Sequence, residues 1–254
     1  MIDMDSYEKM FQNITLAVLG KKLTGIYEYE NWRTEYVEGM AKVKSTISNE
    51  EVIYPAFDFY KAMRTKMLTM DEAYNSIGKK QLTEKQVVEL GISNAKDALK
   101  EICTTTPDTS MGVSSDLKDC SLYYSSHNCL KSSLMNESKC CAYCFWPRHS
   151  EYSLGCYYLF SSKFCIKCYN CENLNRCFEL SDCNNCSDSL FCHNCENLNN
   201  CMFCFNTKAK KYAIFNVEIG KERYLEIKQK ILLEITNRME TNKRLDFSIF
   251  SLSS

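Results

Sequence analysis

Residues 168–177 read Cys-Tyr-Asn-Cys-Glu-Asn-Leu-Asn-Arg-Cys, and residues 192–201 repeat them, twenty-four positions on, as Cys-His-Asn-Cys-Glu-Asn-Leu-Asn-Asn-Cys. Within both copies cysteines fall on one phase of a three-residue lattice. The same phase holds fifteen of the sixteen cysteines between Ser114 and Cys204, and Cys140 alone departs from it. Other lattice places carry Ser, Leu, Tyr123, Met135 or Pro147, and none is charged. The twenty-four-residue period halves to twelve in Ser114, Ser126, Ser138, Ser150 and Ser162, a series continued by Leu174, Cys186 and Leu198.

A period of three sustained over some ninety residues excludes most regular conformations. A 3₁₀-helix seldom exceeds one turn, a collagen-type helix requires glycine at every third place, and strand and α-helix have periods of 2 and 3.6. A narrow β-solenoid remains: about eight coils of twelve residues, four inward side chains per coil, stacked at about 4.8 Å. So slender a coil accommodates only compact side chains, and cysteine serves there as a small apolar filler. Asn173, Asn185 and Asn197, with Asn170, Asp182, Asn194 and Asn206, also recur at twelve. Asn and Asp tolerate left-handed turns, so these mark ladders of corners.

The Cys/Ser coil resembles the twelve-residue repeat of beetle antifreeze proteins, which implies a tight β-helix with cysteines inside. The resemblance stops at coil geometry: that family's ice-binding face is a Thr-x-Thr ladder, and no threonine occurs here between Ser114 and Asn206. The motif order, with coils leading into Lys211-Tyr212-Ala213-Ile214-Phe215-Asn216 and then an amphipathic helix, is similar to cysteine-rich repeat proteins of large DNA viruses, phages and uncultivated bacteria. That similarity implies a component of a virion, such as a minor capsid protein, or of another large assembly.

Outside the lattice the expected fold class is α+β: an N-terminal helical head and linker (1–113), the β-solenoid (114–207), and a strand with a helical cap and tail (208–254). Ser6 opens an amphipathic stretch to Leu19 that Gly20 closes. Ser48-Asn49-Glu50-Glu51 and Thr83-Glu84-Lys85-Gln86 fit capping boxes, the first predicting a helix from Val52 to Lys66 with Pro55 in its first turn. Ser93 is expected to cap a helix ending near Ile102, for about five helices in all. Thr104 to Gly112 has linker composition. Tyr224, Ile227, Ile231, Ile235 and Met239 mark one helix face, expected to cover the open end of the last coil.

The chain carries a net charge of −1 over 254 residues, and it has no apolar run near the ~20 residues that span a bilayer. Met-Ile-Asp-Met-Asp at the start lacks signal-peptide character, so the expected location is the cytoplasm or a virion, with most thiols reduced, the alternative being disulfides between cysteines six apart such as Cys165 and Cys171. The coils hold seven basic against nine acidic residues, which gives nucleic acid no attracting surface. No P-loop, dinucleotide fingerprint, nucleophile elbow or HExxH occurs, and His127, His149 and His193 fall between lattice places, so no enzyme is expected.

Two features remain as candidate sites. Leu130, Ala142, Leu154, Ile166, Phe178, Leu190 and Met202 recur at twelve as an outward apolar stripe, and Phe145, Tyr157, Tyr169 and Phe205 form a second column. Either the chain's own helices or another subunit covers them, because exposed apolar area of that extent marks a contact. The expected function is a non-enzymatic strut that docks on protein subunits of a larger assembly. The alternative is a zinc or thiophilic-metal module, with Cys165, Cys168, Cys192 and Cys195 as first ligands; a thiol redox protein comes third. No cofactor is required by the first reading.

Overall fold

The computed structural model describes residues 4–251 apart from Ile77 and Asp108. The readings placed on residues 1–3, on Asp108 of the linker and on residues 252–254 lie outside these. The centre of the molecule is a parallel β-solenoid of about nine coils between residues 110 and 214, flanked by helices at both ends of the chain. Register is constant at twelve: Ser115 pairs with His127, His127 with Lys139, Lys139 with Glu151, Glu151 with Lys163 and Lys163 with Asn175. Single bridges carry the column on through Ser187 to Asn199, which pairs with Lys211. Only the first partial coil differs, Ser110 pairing with Tyr123 at thirteen.

The period of three originates in the backbone. Every third residue from Asp116 to Phe215 has a positive φ near 50°, including Leu122, Trp146, Phe164 and Phe191 as well as the expected Asn and Asp. Each coil is thus a square with a left-handed corner after every two extended residues. A left-handed L-residue costs about 1–2 kcal/mol, so the corners persist only through what holds them. Leu154 O, just before the Gly155 corner, accepts from Lys167 N at 2.8 Å and from the Cys156 thiol at 3.4 Å. Ala142 O accepts likewise from Gly155 N and the Cys144 thiol, and Leu130 O from Tyr143 N and the Ser132 hydroxyl. The inward side chain also accepts from the coil above: Cys144 N donates to Ser132 Oγ at 3.0 Å and Cys168 N to Cys156 Sγ at 3.4 Å. Cysteine and serine occupy the lattice because each brings a donor and an acceptor in a minimal volume, which adds to their role as filler. All seventeen cysteines are free thiols.

Helix α1 (Met4–Leu19) ends at Gly20, whose left-handed N–H donates to Leu16 O. At about 1.5 Å per residue its sixteen residues span about 24 Å, enough to lie across the strands at 127–130, 151–154, 163–166 and 175–181. Its Tyr7, Met10, Phe11, Ile14 and Val18 are buried against the solenoid. A 3₁₀ turn (Ile26–Tyr29) and α2 (Glu30–Arg33) follow on the same flank.

The helix predicted from Val52 to Lys66 is replaced by an antiparallel hairpin, β1 (Met40–Lys44) and β2 (Glu51–Pro55). Ser48 and Glu50 sit in its turn, where Asn49 takes a left-handed φ of 63°. Val43, Val52 and Tyr54 bury more apolar surface as a pleated pair than one local cap can offset, and Pro55 ends the strand where no N–H is needed. The second capping box forms: Gln86 N donates to Thr83 Oγ1 and Thr83 N to Gln86 Oε1. Helices α3 (Asp58–Met63), α4 (Met70–Ser76), α5 (Glu84–Val88) and α6 (Ile92–Ile102) complete the first half. The cap of α6 is Gly91 rather than Ser93, because Asn94 Oδ1 takes the Gly91 N–H at 2.8 Å.

The expected linker is hydrogen-bonded into the fold. Thr105 bridges Met67, Pro107 O accepts from Ser121 Oγ at 2.7 Å, and Ser110–Met111 pair with the solenoid. At the other end Val217–Glu218 turn back on the last strand. Asn216 supplies what a further coil would: its Oδ1 accepts from Phe205 N at 3.0 Å and its Nδ2 donates to Phe205 O at 2.8 Å. Helix α7 (Lys221–Asn242) starts there with Tyr224 buried, and runs back along the flank until Lys243 meets Glu28. Among the described residues no helix is long and apolar enough to cross a membrane.

Candidate interaction surfaces

The apolar stripe is an internal contact. Leu130, Ala142, Leu154, Ile166, Phe178, Leu190 and Met202 are all buried in one cluster with α1 and with Tyr224, Ile235 and Met239 of α7. Of the two coverings the sequence left open, the chain's own helices take this one. The second column is partitioned. Phe145 is buried beneath Phe57, edge to face at 4.8 Å, and Tyr157 stacks on it at 5.0 Å. Tyr169 is covered by Phe250 and Tyr36, while Phe205, beside His193, keeps partial exposure. Residues 245–251 lie on the chain itself, Phe247 against Phe191 and Phe203.

Three buried charges escaped the sequence reading. Arg33 Nη2 donates to Ile26 O, its guanidinium lies 4.2 Å from the Tyr143 ring centroid, and burial brings its pKa down to about 10. Lys167 and Glu179 are fully buried one coil apart and meet at 3.1 Å. Glu35 reaches Lys167 at 3.3 Å, and the Ser248 hydroxyl donates to Glu179 at 2.8 Å. Burial pushes the Glu179 carboxyl up, and Lys167 and Ser248 oppose that. For Lys167 and Glu179 the only signal in the sequence is that both fall on the corner phase, in the flank beside the stripe; Arg33, in α2, has none.

The four cysteines singled out for metal are not gathered. Cys168 and Cys192 share a column but stand two coils apart, about 10 Å, with Leu180 between them. Cys165 and Cys195 belong to two other columns, while a tetrahedral site needs four ligands within about 2.3 Å of one ion. Among the described residues no three His, Cys, Asp or Glu side chains converge as a metal site. Burial raises the thiols of Cys168 and Cys192, and that of Cys165 to about 12. The histidines point outward: His149 lies 3.3 Å from Glu137, His193 3.5 Å from Asp182, and His127 Nδ1 3.1 Å from Ser115 Oγ.

Among the open surfaces of the described residues, two carry several apolar side chains. One is a groove of about 230 Å³ on the early coils, floored by Leu122, Leu134 and Trp146 and edged by Met111, Tyr124 and Arg148. The other is the segment carrying α4, α5 and α6, where Tyr74, Val87, Val88, Leu90, Ile92 and Leu99 are exposed. In the sequence only Trp146 of the groove stands out, as a flank of the aromatic column, and the helical segment does not, because exposure is decided by which helices find a place on the rod. No protein-family model and no curated protein matches this sequence.

Proposed function

We propose that this chain is a non-enzymatic structural protein, a stiff strut that docks by its exposed helical segment into a larger protein assembly. A virion, with the chain as a minor capsid component, is the setting that its resemblance to viral cysteine-rich repeat proteins suggests, and such a chain works where thiols remain reduced. The observation that carries this reading is how the reactive side chains are used. Inward thiols hold corner carbonyls, the histidines sit singly beside acidic or hydroxyl partners at the surface, and buried Lys167 and Glu179 neutralise each other. Large apolar side chains, by contrast, stand exposed on α4 to α6. The test is cross-linking mass spectrometry on the natively assembled protein. Links from Lys79, Lys80, Lys85 or Lys96 to other polypeptides are expected; a chain recovered without partners, with those lysines cross-linked only internally, would refute the strut.

A further inference from the structure

We propose that α4 to α6 form an arm by which two copies of this chain pair, α6 of one lying antiparallel on α6 of the other. This deepens the reading of the chain as an interaction protein by naming one partner.

The arm is an excursion closed at its base. Thr105 N donates to Lys66 O and Leu68 N to Thr105 O, and Met67 and Leu68 at this stem are buried. Beyond the stem no residue of α4, α5 or α6 is buried. The arm is held by polar contacts such as Gln86 to Glu101 and Lys66 Nζ to Lys100 O. A helix as short as α6 is marginal in water unless an apolar face is packed. Yet Ile92 is 96 % exposed and Leu99 55 %.

The face of α6 indicates its occupant. Ile92, Ala95, Leu99 and Ile102 follow one another at steps of three, four and three, the spacing of a coiled-coil seam. A parallel copy would set Ala95 on Ala95 and leave a gap. An antiparallel copy, related by a twofold axis at Asp97, sets the exposed Ile92 on the half-buried Ile102 and the half-buried Ala95 on Leu99, so that no layer is Ala on Ala. Isologous pairing of this kind is the commonest form of assembly. Charge permits it, since residues 69–104 carry five lysines against six acidic residues and two arms do not repel strongly. Val87, Val88 and Leu90, just before α6, extend the apolar surface.

Light scattering on the full-length protein across micromolar concentrations tests the pairing. A mass of twice 29.5 kDa is expected at the upper end, dissociating on dilution. Leu99→Asp with Ile92→Asp should give a monomer whose thermal unfolding matches that of the dissociated parent, because neither side chain belongs to a core. Leu99→Lys and Ala95→Glu should each weaken pairing, and mixing the two variants should restore a dimer, since the new charges meet only in the antiparallel register. A monomer at all concentrations, a dimer indifferent to Leu99, or a mixture that stays monomeric overturns the proposal. A monomer would still leave the strut reading standing on its own cross-linking test.

Discussion

At Gly155 the corner conformation coincides with a close approach. Its φ is 61°, and a Cβ there would lie 2.7 Å from the carbonyl oxygen of Arg33, so α2 seats its last turn on a corner that has no side chain. Gly155→Ala should cost about 2–3 kcal/mol from left-handed strain and displacement of α2, measured by urea unfolding; a loss below ~0.5 kcal/mol would deny the contact. Inward thiols make a separate prediction. Cys156→Ala strips Leu154 O of one donor and Cys168 N of its acceptor, and should cost about 1–3 kcal/mol. Cys156→Ser keeps both groups and should lose less than half as much. Equal losses for the two variants would reduce the cysteine to a filler.

At the scale of elements, the hairpin and the arm are tied by one carboxylate. Glu72 in α4 accepts from Ser45 Oγ, from Ser48 N at 2.9 Å and from Thr69 N at 2.8 Å. The Ser45 hydroxyl first, then Ser48, hold its pKa at about 2 against an ordinary 4.5. A carboxyl lowered on folding contributes its full stabilisation above the unfolded value. That contribution shrinks as pH falls below about 4.5 and is gone near 2. Hydrogen exchange at the Ser48 and Thr69 amides, normalised for intrinsic rate, should therefore become less protected across this window. In Glu72→Gln the window should vanish, with weaker protection at neutral pH.

For the whole molecule, the last coil decides whether the rod is finite. Its strand at Phe205 would offer free N–H and C=O groups to another chain, and the Asn216 amide occupies both. Asn216→Ala should expose that edge, speed exchange of the Phe205 amide and raise light scattering with time, while far-UV circular dichroism stays close to that of the parent. Unchanged Phe205 exchange would show the edge closed by other means. The flank of the rod is covered by α1, whose length matches the strands it crosses, together with α7, so the stripe that reads in the chain as a docking face is the core that joins helices to rod.

What residue order fixed by itself was the coil. Side chains at every third place repeat the same local geometry, so Ser150, Cys165 and Leu174 declare an inward lattice without reference to anything distant. Local pattern also placed α1 and its Gly20 stop, and the Thr83 cap, since capping acts within one turn. Ser48 misled because a cap of about 1 kcal/mol yields to pairing of Val43, Val52 and Tyr54 across a hairpin. Only tertiary structure settled which apolar surface is covered. Phe178 and Ile92 are both apolar side chains in periodic segments, and one is buried while the other stands in solvent, because burial depends on where α1 and α7 come to rest against the rod. A sequence specifies periods, and the reach of a helix across a stack of coils belongs to the folded chain.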